Sequence, residues 1–187
     1  MDNVFSIVVV TYNQEDFVLE ALESIYNQTY KAIELVVSDD ASTDSTPEII
    51  KTWVEQKGDR FVNVILNFNK QNKGISGNHS AGLRLASGEF VKYLGGDDIL
   101  LPDAVEKMCD FLVENKEARF CTSRVKPFYE GHGRRIFLDD LFDNWTVRKF
   151  VSANVEEQFR IFGRRNAIGA PGTFFRKSIF EDFGYPD

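Results

Sequence analysis

Two adjacent carboxylates, Asp97 and Asp98, close a short apolar run from Phe90 to Leu94. Like charges side by side repel and each resists leaving water, so an acid pair at the end of a buried strand calls for something positive beside it. Gly95 and Gly96 in front of the pair leave room for a ligand or ion to come close. The same stretch also fits a plain strand-to-helix turn, with acids near a helix that starts at Pro102. Two other apolar runs end on polar groups: Phe5 to Val10 on Thr11-Tyr12-Asn13, and Ile33 to Val37 on Ser38-Asp39-Asp40. Hydroxyl, aromatic, amide and carboxylate groups delivered by three strand ends to one edge point to a functional site more firmly than one acidic turn does. Read singly, Tyr12 also fits a packed turn aromatic, and Asp39 a capping or solvated acid.

What is missing narrows the ligand. No Gly-x-Gly-x-x-Gly turn follows the first strand and no Gly-x-x-x-x-Gly-Lys-Ser/Thr occurs, so neither glycine-rich way of cradling phosphate on a helix N-terminus is present. A phosphate at this edge would meet carboxylates instead. A divalent cation resolves that conflict, since Mg²⁺ or Mn²⁺ takes one or two carboxylates together with phosphate oxygens. Asp97 and Asp98 are the candidate metal ligands.

The elements that must hold these groups follow from periodicity. Phe17, Val18, Ala21, Leu22, Ile25 and Tyr26 form one helical stripe. Ile49, Ile50, Trp53 and Val54 form a second, with Ser45 or Thr46 as cap and Pro47 in the first turn. Phe61 to Leu66 reads as a strand; Ile75, His79, Leu83 and Ala86 as a third helical stripe; and Ala104 to Leu112 as a fourth helix before a strand at Ala118 to Thr122. Alternation of this kind predicts an α/β fold with a mostly parallel sheet sandwiched between helices. In such sheets ligands bind outside the carboxyl ends of the strands, where Thr11, Asp40 and Asp97 fall. Beyond Arg124 the pattern is irregular, with a helix predicted over 155–162, a short strand over 173–175 and a final helical turn or two over 178–183.

Composition sets the outer limits. A chain of 187 residues with 43% apolar content supports one substantial core. Residues 1–118 hold 10 Lys and Arg against 20 Asp and Glu, whereas residues 119–187 hold 12 against 9. An acidic first part argues against a nucleic-acid partner, because no basic stripe exists to displace counterions. The basic second part fits an anionic acceptor, a peripheral membrane contact or simply a solvated face. Cys109 and Cys121 lack metal-ligand spacing and read as reduced core residues. No apolar run is long enough to cross a bilayer. The expected compartment is the cytoplasm.

Three segments carry a resemblance: Val8-Val-Val-Thr-Tyr-Asn13, Glu34-Leu-Val-Val-Ser-Asp-Asp-Ala-Ser-Thr-Asp44, and Ala86-Ser-Gly-Glu-Phe-Val-Lys-Tyr-Leu-Gly-Gly-Asp-Asp98. In order and spacing they resemble the signature segments of glycosyltransferase family 2, inverting nucleotide-sugar transferases of GT-A fold. The resemblance implies a nucleotide-diphospho-sugar donor and a glycan or lipid-linked acceptor. It implies that Thr11, Tyr12 and Asn13 line the base pocket, that Asp40 accepts a hydrogen bond from the base and that Asp97 meets the diphosphate; Asp39 and Lys73, the latter beside Gly74, are further nucleotide-binding candidates. Asp97 and Asp98 would hold the metal on the diphosphate. Residues 1–118 then form the donor-binding half, and residues 119–187 the acceptor side of the same domain.

The chain also departs from that pattern. Gly95 stands where many members carry a further carboxylate, and His79-Ser80 lies near the place of an Arg-Asn pair. Inverting transfer needs a carboxylate base for the acceptor hydroxyl. In similar proteins it follows a Gly-aromatic-x-Asp turn, here Gly184-Tyr-Pro-Asp187, so the base is expected beyond Asp187 and the sequence reads as part of a longer chain. Asp139, Asp140 and Asp143 are the alternatives within it. Two other functions share such a fold: a non-catalytic nucleotide- or partner-binding domain, and a sugar nucleotidyltransferase. The latter should carry a glycine-rich basic loop after the first strand, which Thr11 to Asp16 is not.

Overall fold

The computed structural model describes residues 3–131, 134–138, 154, 157, 160 and 170–186. They fall into two compact units, residues 1–121 with 174–187, and residues 122–173. In the first unit the chain runs β1 (Phe5–Thr11), α1 (Val18–Tyr26), β2 (Ile33–Asp39), α2 (Thr46–Lys57), β3 (Asn63–Phe68), α3 (Gly74–Leu85), β4 (Phe90–Gly95), α4 (Ala104–Glu114) and β5 (Phe120–Thr122). The second unit contributes the hairpin of β6 (Phe128–Gly131) and β7 (Arg134–Phe137), paired antiparallel. The chain then returns as β8 (Thr173–Arg176) and α5 (Ser178–Phe183).

The main sheet has the order β3-β2-β1-β4-β8-β5. Its first four strands are parallel, and β8 joins β4 antiparallel through Val91↔Phe175. β1 and β2 lie inside the sheet with helices over both faces, which is why they read as unbroken apolar runs rather than alternating ones. Phe5, Ile7, Val9, Leu35, Val37, Phe90 and Leu94 pack with α1, α2 and α4. Val8, Val36 and Val91 pack with Leu83 of α3 and Phe180 of α5. Register sets the functional edge: Thr11 lies opposite Asp39, and Val10 opposite Gly95, so the three strands end side by side.

At the other edge Glu34 is a buried clamp. It accepts hydrogen bonds from Ser6 (2.6 Å), Asn63 (3.0 Å) and both the backbone N–H and hydroxyl of Ser87 (2.7 Å each), tying β1, β2 and β3 to the turn before β4. Burial alone pushes its carboxyl up, but these four donors outweigh burial and hold it below the usual range.

Several local expectations shift. β3 runs from Asn63 to Phe68, later than Phe61 to Leu66, because Phe61 turns into the core beside Trp53. Neither Ser45 nor Thr46 caps α2; Asp44 accepts from the Thr46 N–H at 3.0 Å, while the Thr46 hydroxyl is taken by the Gln14 N–H. Ile75, expected on a buried stripe, is 80% exposed. The buried face of α3 is Asn78, Gly82 and Leu83, since α3 meets the sheet through an amide and a glycine rather than an apolar ridge. The helix predicted over 155–162 falls mostly outside the described residues.

Candidate active site

The ends of β1, β2 and β4 frame an open cleft of about 450 Å³ lined by Thr11, Tyr12, Gln14, Asp40, His79 and Asp97 among others. The loop after β1 is stitched to the loop after β2. The Asp40 N–H donates to the Thr11 carbonyl (2.9 Å), the Asn13 N–H to the Ser42 hydroxyl (2.8 Å), and the Thr43 N–H to Asn13 Oδ1 (2.8 Å). Asn13 and Ala41 both take left-handed backbone angles, at φ 50° and 62°. Such angles cost a residue with a Cβ about 1 kcal/mol, a strain the stitched loops must offset.

The two acids of β2 are placed very differently. Asp39 is 1% exposed and surrounded by donors of its own chain: Thr11 Oγ1 (2.9 Å), Ser42 Oγ (2.5 Å) and the Ser42 N–H (2.9 Å). It holds the two loops together and does not line the cleft. Asp40 lines it. Asp40 Oδ1 accepts from Asn69 Nδ2 (3.0 Å) and from the Lys73 N–H (2.8 Å), which leaves Oδ2 to serve a ligand. Lys73 therefore enters the site through its backbone. Tyr12, 49% exposed, stands on the rim as an open aromatic face.

The acid pair sits over a glycine. A Cβ built on Gly95 would meet Asp97 Oδ1 at 2.7 Å and Asp98 Oδ2 at 3.1 Å, so the carboxylates occupy the space a side chain would need. Gly96 is equally constrained, lying against Gln14 Oε1 and the Thr11 methyl. Gln14 Oε1 is the one buried side-chain oxygen or nitrogen among the described residues without a hydrogen-bond partner. Asp97 is exposed and lines the cleft, whereas Asp98 lies behind it. Burial and the neighbouring Asp97 charge raise the Asp98 carboxyl; Lys92 and the Gly95 N–H oppose the rise. Converging carboxylates in need of neutralisation fit a divalent cation. Among the described residues no group of three or more His, Cys, Asp or Glu could hold a metal, so such an ion would rest on this pair and on oxygens of its ligand.

Three participants escape sequence reading. Lys92, in the middle of β4, is fully buried, with its Nζ 4.7 Å from the centre of the Phe174 ring. Burial brings its ammonium down to about 7 against the pull of Asp98. Asn69 and Asn78 form the floor behind Asp40. His79 lines the cleft and packs on Tyr93 with ring centres 4.6 Å apart; burial lowers its pKa, so the ring is neutral at pH 7. Asp139, Asp140 and Asp143 lie outside the described residues.

The family model "Glycosyl transferase family 2" matches residues 6–184. A glycosyltransferase, GlyA, of Streptococcus pneumoniae is 29% identical over 99% of the chain and 26% of its own length. A Campylobacter jejuni GalNAc(5)-diNAcBac-PP-undecaprenol beta-1,3-glucosyltransferase is 40% identical over 55% of the chain and 32% of its own length. The chain thus spans about a quarter to a third of these relatives. Among solved structures, a Pyrobaculum calidifontis mannosyltransferase in complex with GDP-Man and Mn²⁺ superposes with a TM-score of 0.71 at 22% identity, over 99% of the chain and 48% of its own. S. aureus TarS 1-349 in complex with UDP-GlcNAc gives 0.64 at 22% identity, over 96% and 47%. The fold they share with this chain is GT-A.

Proposed function

Since the chain belongs to glycosyl transferase family 2, we propose that it binds a nucleotide-diphospho-sugar with a divalent cation and passes the sugar, with inversion, to a glycan or lipid-linked acceptor. The observation that carries this reading is the placement of Tyr12, Asp40 and Asp97 around one cleft at the carboxyl edge of the sheet. Tyr12 offers a face on which a base can stack. Asp40 Oδ2 can only accept when ionised, which suits the ring N–H of uracil or guanine; cytosine and adenine carry acceptor nitrogens at the matching ring positions and could offer it only their exocyclic amino groups. Asp97 and Asp98 would hold Mn²⁺ or Mg²⁺. When bound, the cation neutralises the diphosphate and stabilises it as leaving group.

The chain's own residues do the positioning. Asp39, Thr11 and Ser42 lock the base-side loops, and Gly95 and Gly96 bring the acid pair within reach of a diphosphate. Neutral His79 offers a cleft-side imidazole that neither repels nor neutralises the ligand. Similar proteins solved in complex with UDP-GlcNAc or with GDP-Man and Mn²⁺ support this ligand class. We place the reaction in the cytoplasm, at the inner face of a membrane when the acceptor is lipid-linked. The test is turnover: release of nucleoside diphosphate from UDP- and GDP-sugars with Mn²⁺ and a panel of glycan and lipid-linked acceptors, with the anomeric configuration of the product read by NMR. An α-linked donor should give a β-linked product; retention, or turnover unchanged in chelator, contradicts the reading.

A further inference from the structure

We infer that Asn69 is a positioning residue for base selection, acting through Asp40; this rests on the base-binding reading above. Asn69 is 9% exposed and anchored by its N–H to the Asp39 carbonyl (2.9 Å). Its Nδ2 donates to Asp40 Oδ1 (3.0 Å) and to Asn78 Oδ1 (3.0 Å), while its Oδ1 accepts from Asn67 Nδ2 (3.1 Å). Asn67 Nδ2 also donates to Ser38 Oγ (2.9 Å), and that hydroxyl donates to Asn78 Oδ1 (2.7 Å). Asn78 Nδ2 closes the network on the carbonyls of Ser38 (2.9 Å) and Thr11 (3.4 Å).

One group sets the direction of every proton in this network. An ionised carboxylate accepts only, so Asn69 must present its NH₂ to Asp40 and its oxygen to Asn67; Asn67 then donates to Ser38, and Ser38 to Asn78. With Oδ1 held by Asn69 and by the Lys73 N–H, Asp40 cannot rotate, and Oδ2 is offered to a base as a fixed acceptor. A buried amide network in which each member is satisfied holds one geometry. Losing the Asn69 donor frees Asp40 to turn, and the choice between bases loosens.

The test is isothermal titration of UDP, GDP, CDP and ADP, with Mn²⁺, into wild type, Asn69→Leu, Asp40→Ala and the double variant. Asn69→Leu should weaken the preferred nucleotide about tenfold, leave CDP unchanged, and have no further effect on top of Asp40→Ala. Should Asn69→Leu fail to fold, Asn69→Ala, which removes the donor without adding bulk or charge, gives the same comparison. Equal loss for all four nucleotides, the same loss in the Asp40→Ala background, or undiminished discrimination overturns the inference. If Asp40→Ala itself binds like wild type, the base-binding reading falls as well; if Asp40→Ala loses affinity and Asn69→Leu does not, only the role of Asn69 falls.

Discussion

At the scale of single residues, adjacent carboxylates divide the work. Asp39 is consumed by its own chain and Asp40 keeps one oxygen for the cleft; Asp97 faces the cleft and Asp98 is backed by Lys92. Asp97→Asn should abolish Mn²⁺-dependent nucleotide binding while the thermal melt stays level or rises, because it relieves the charge that raises Asp98. A melt that drops while nucleotide binding persists would make Asp97 structural. Lys92 leads to a pH prediction. Its folded pKa, about 7, lies below its unfolded value, so between about pH 7 and 10.5 the unfolded chain holds a proton that the folded chain lacks. Stability carried by this group therefore rises with pH through that window and is lost as pH falls. Lys92→Met removes the dependence, so its stability relative to wild type should be higher at pH 7 than at pH 9.5, by about 3 kcal/mol in urea melts. An equal difference at both pH values would contradict a depressed Lys92.

At the scale of elements, the strand ends were legible in sequence and the floor behind them was not. Apolar runs closing on Thr11, Asp40 and Asp97 are a local signal, and a parallel sheet brings them to one edge. Asn69 and Asn78 were not legible, because a polar loop and an amide in a helix look like solvent-facing positions until the helix is set against the sheet. Lys92 hides for the converse reason, since one cation in an apolar strand reads as an outward residue. What sets α3 against the sheet is Gly82, where a Cβ would lie 2.5 Å from Val8 Cγ1 and 3.1 Å from Ser38 Cβ. Gly82→Ala gains about 1 kcal/mol of helix propensity, but overpacking of this kind costs about 1–3 kcal/mol. The expected outcome is a net loss of stability in urea melts together with weaker nucleotide binding, since Asn78 sits one turn earlier on the same face. A variant as stable as wild type with full binding would show that the contact between α3 and the sheet is not tight.

At the scale of the whole molecule, the stretch from β1 to β4 is the part whose fold sequence alone describes well. Its three segments span β1 to β4 with short connections, so local pattern and register largely coincide. The return of the chain is different. β8 joins the main sheet antiparallel beside β4 after the separate unit of residues 122–173, and a pairing of that sequence separation leaves no periodic trace. On the proposed reading, the carboxylates at the carboxyl edge of the sheet, Asp40, Asp97 and Asp98, would need a cation before a diphosphate could approach. Calorimetric titration of UDP and GDP into the protein, with saturating Mn²⁺ and again with chelator, tests that claim most directly. One of the two nucleotides should bind more tightly with Mn²⁺, by about tenfold or more, and Asp97→Asn should lose this gain; binding of equal strength in chelator, or by neither nucleotide in Mn²⁺, would overturn the metal-assisted reading.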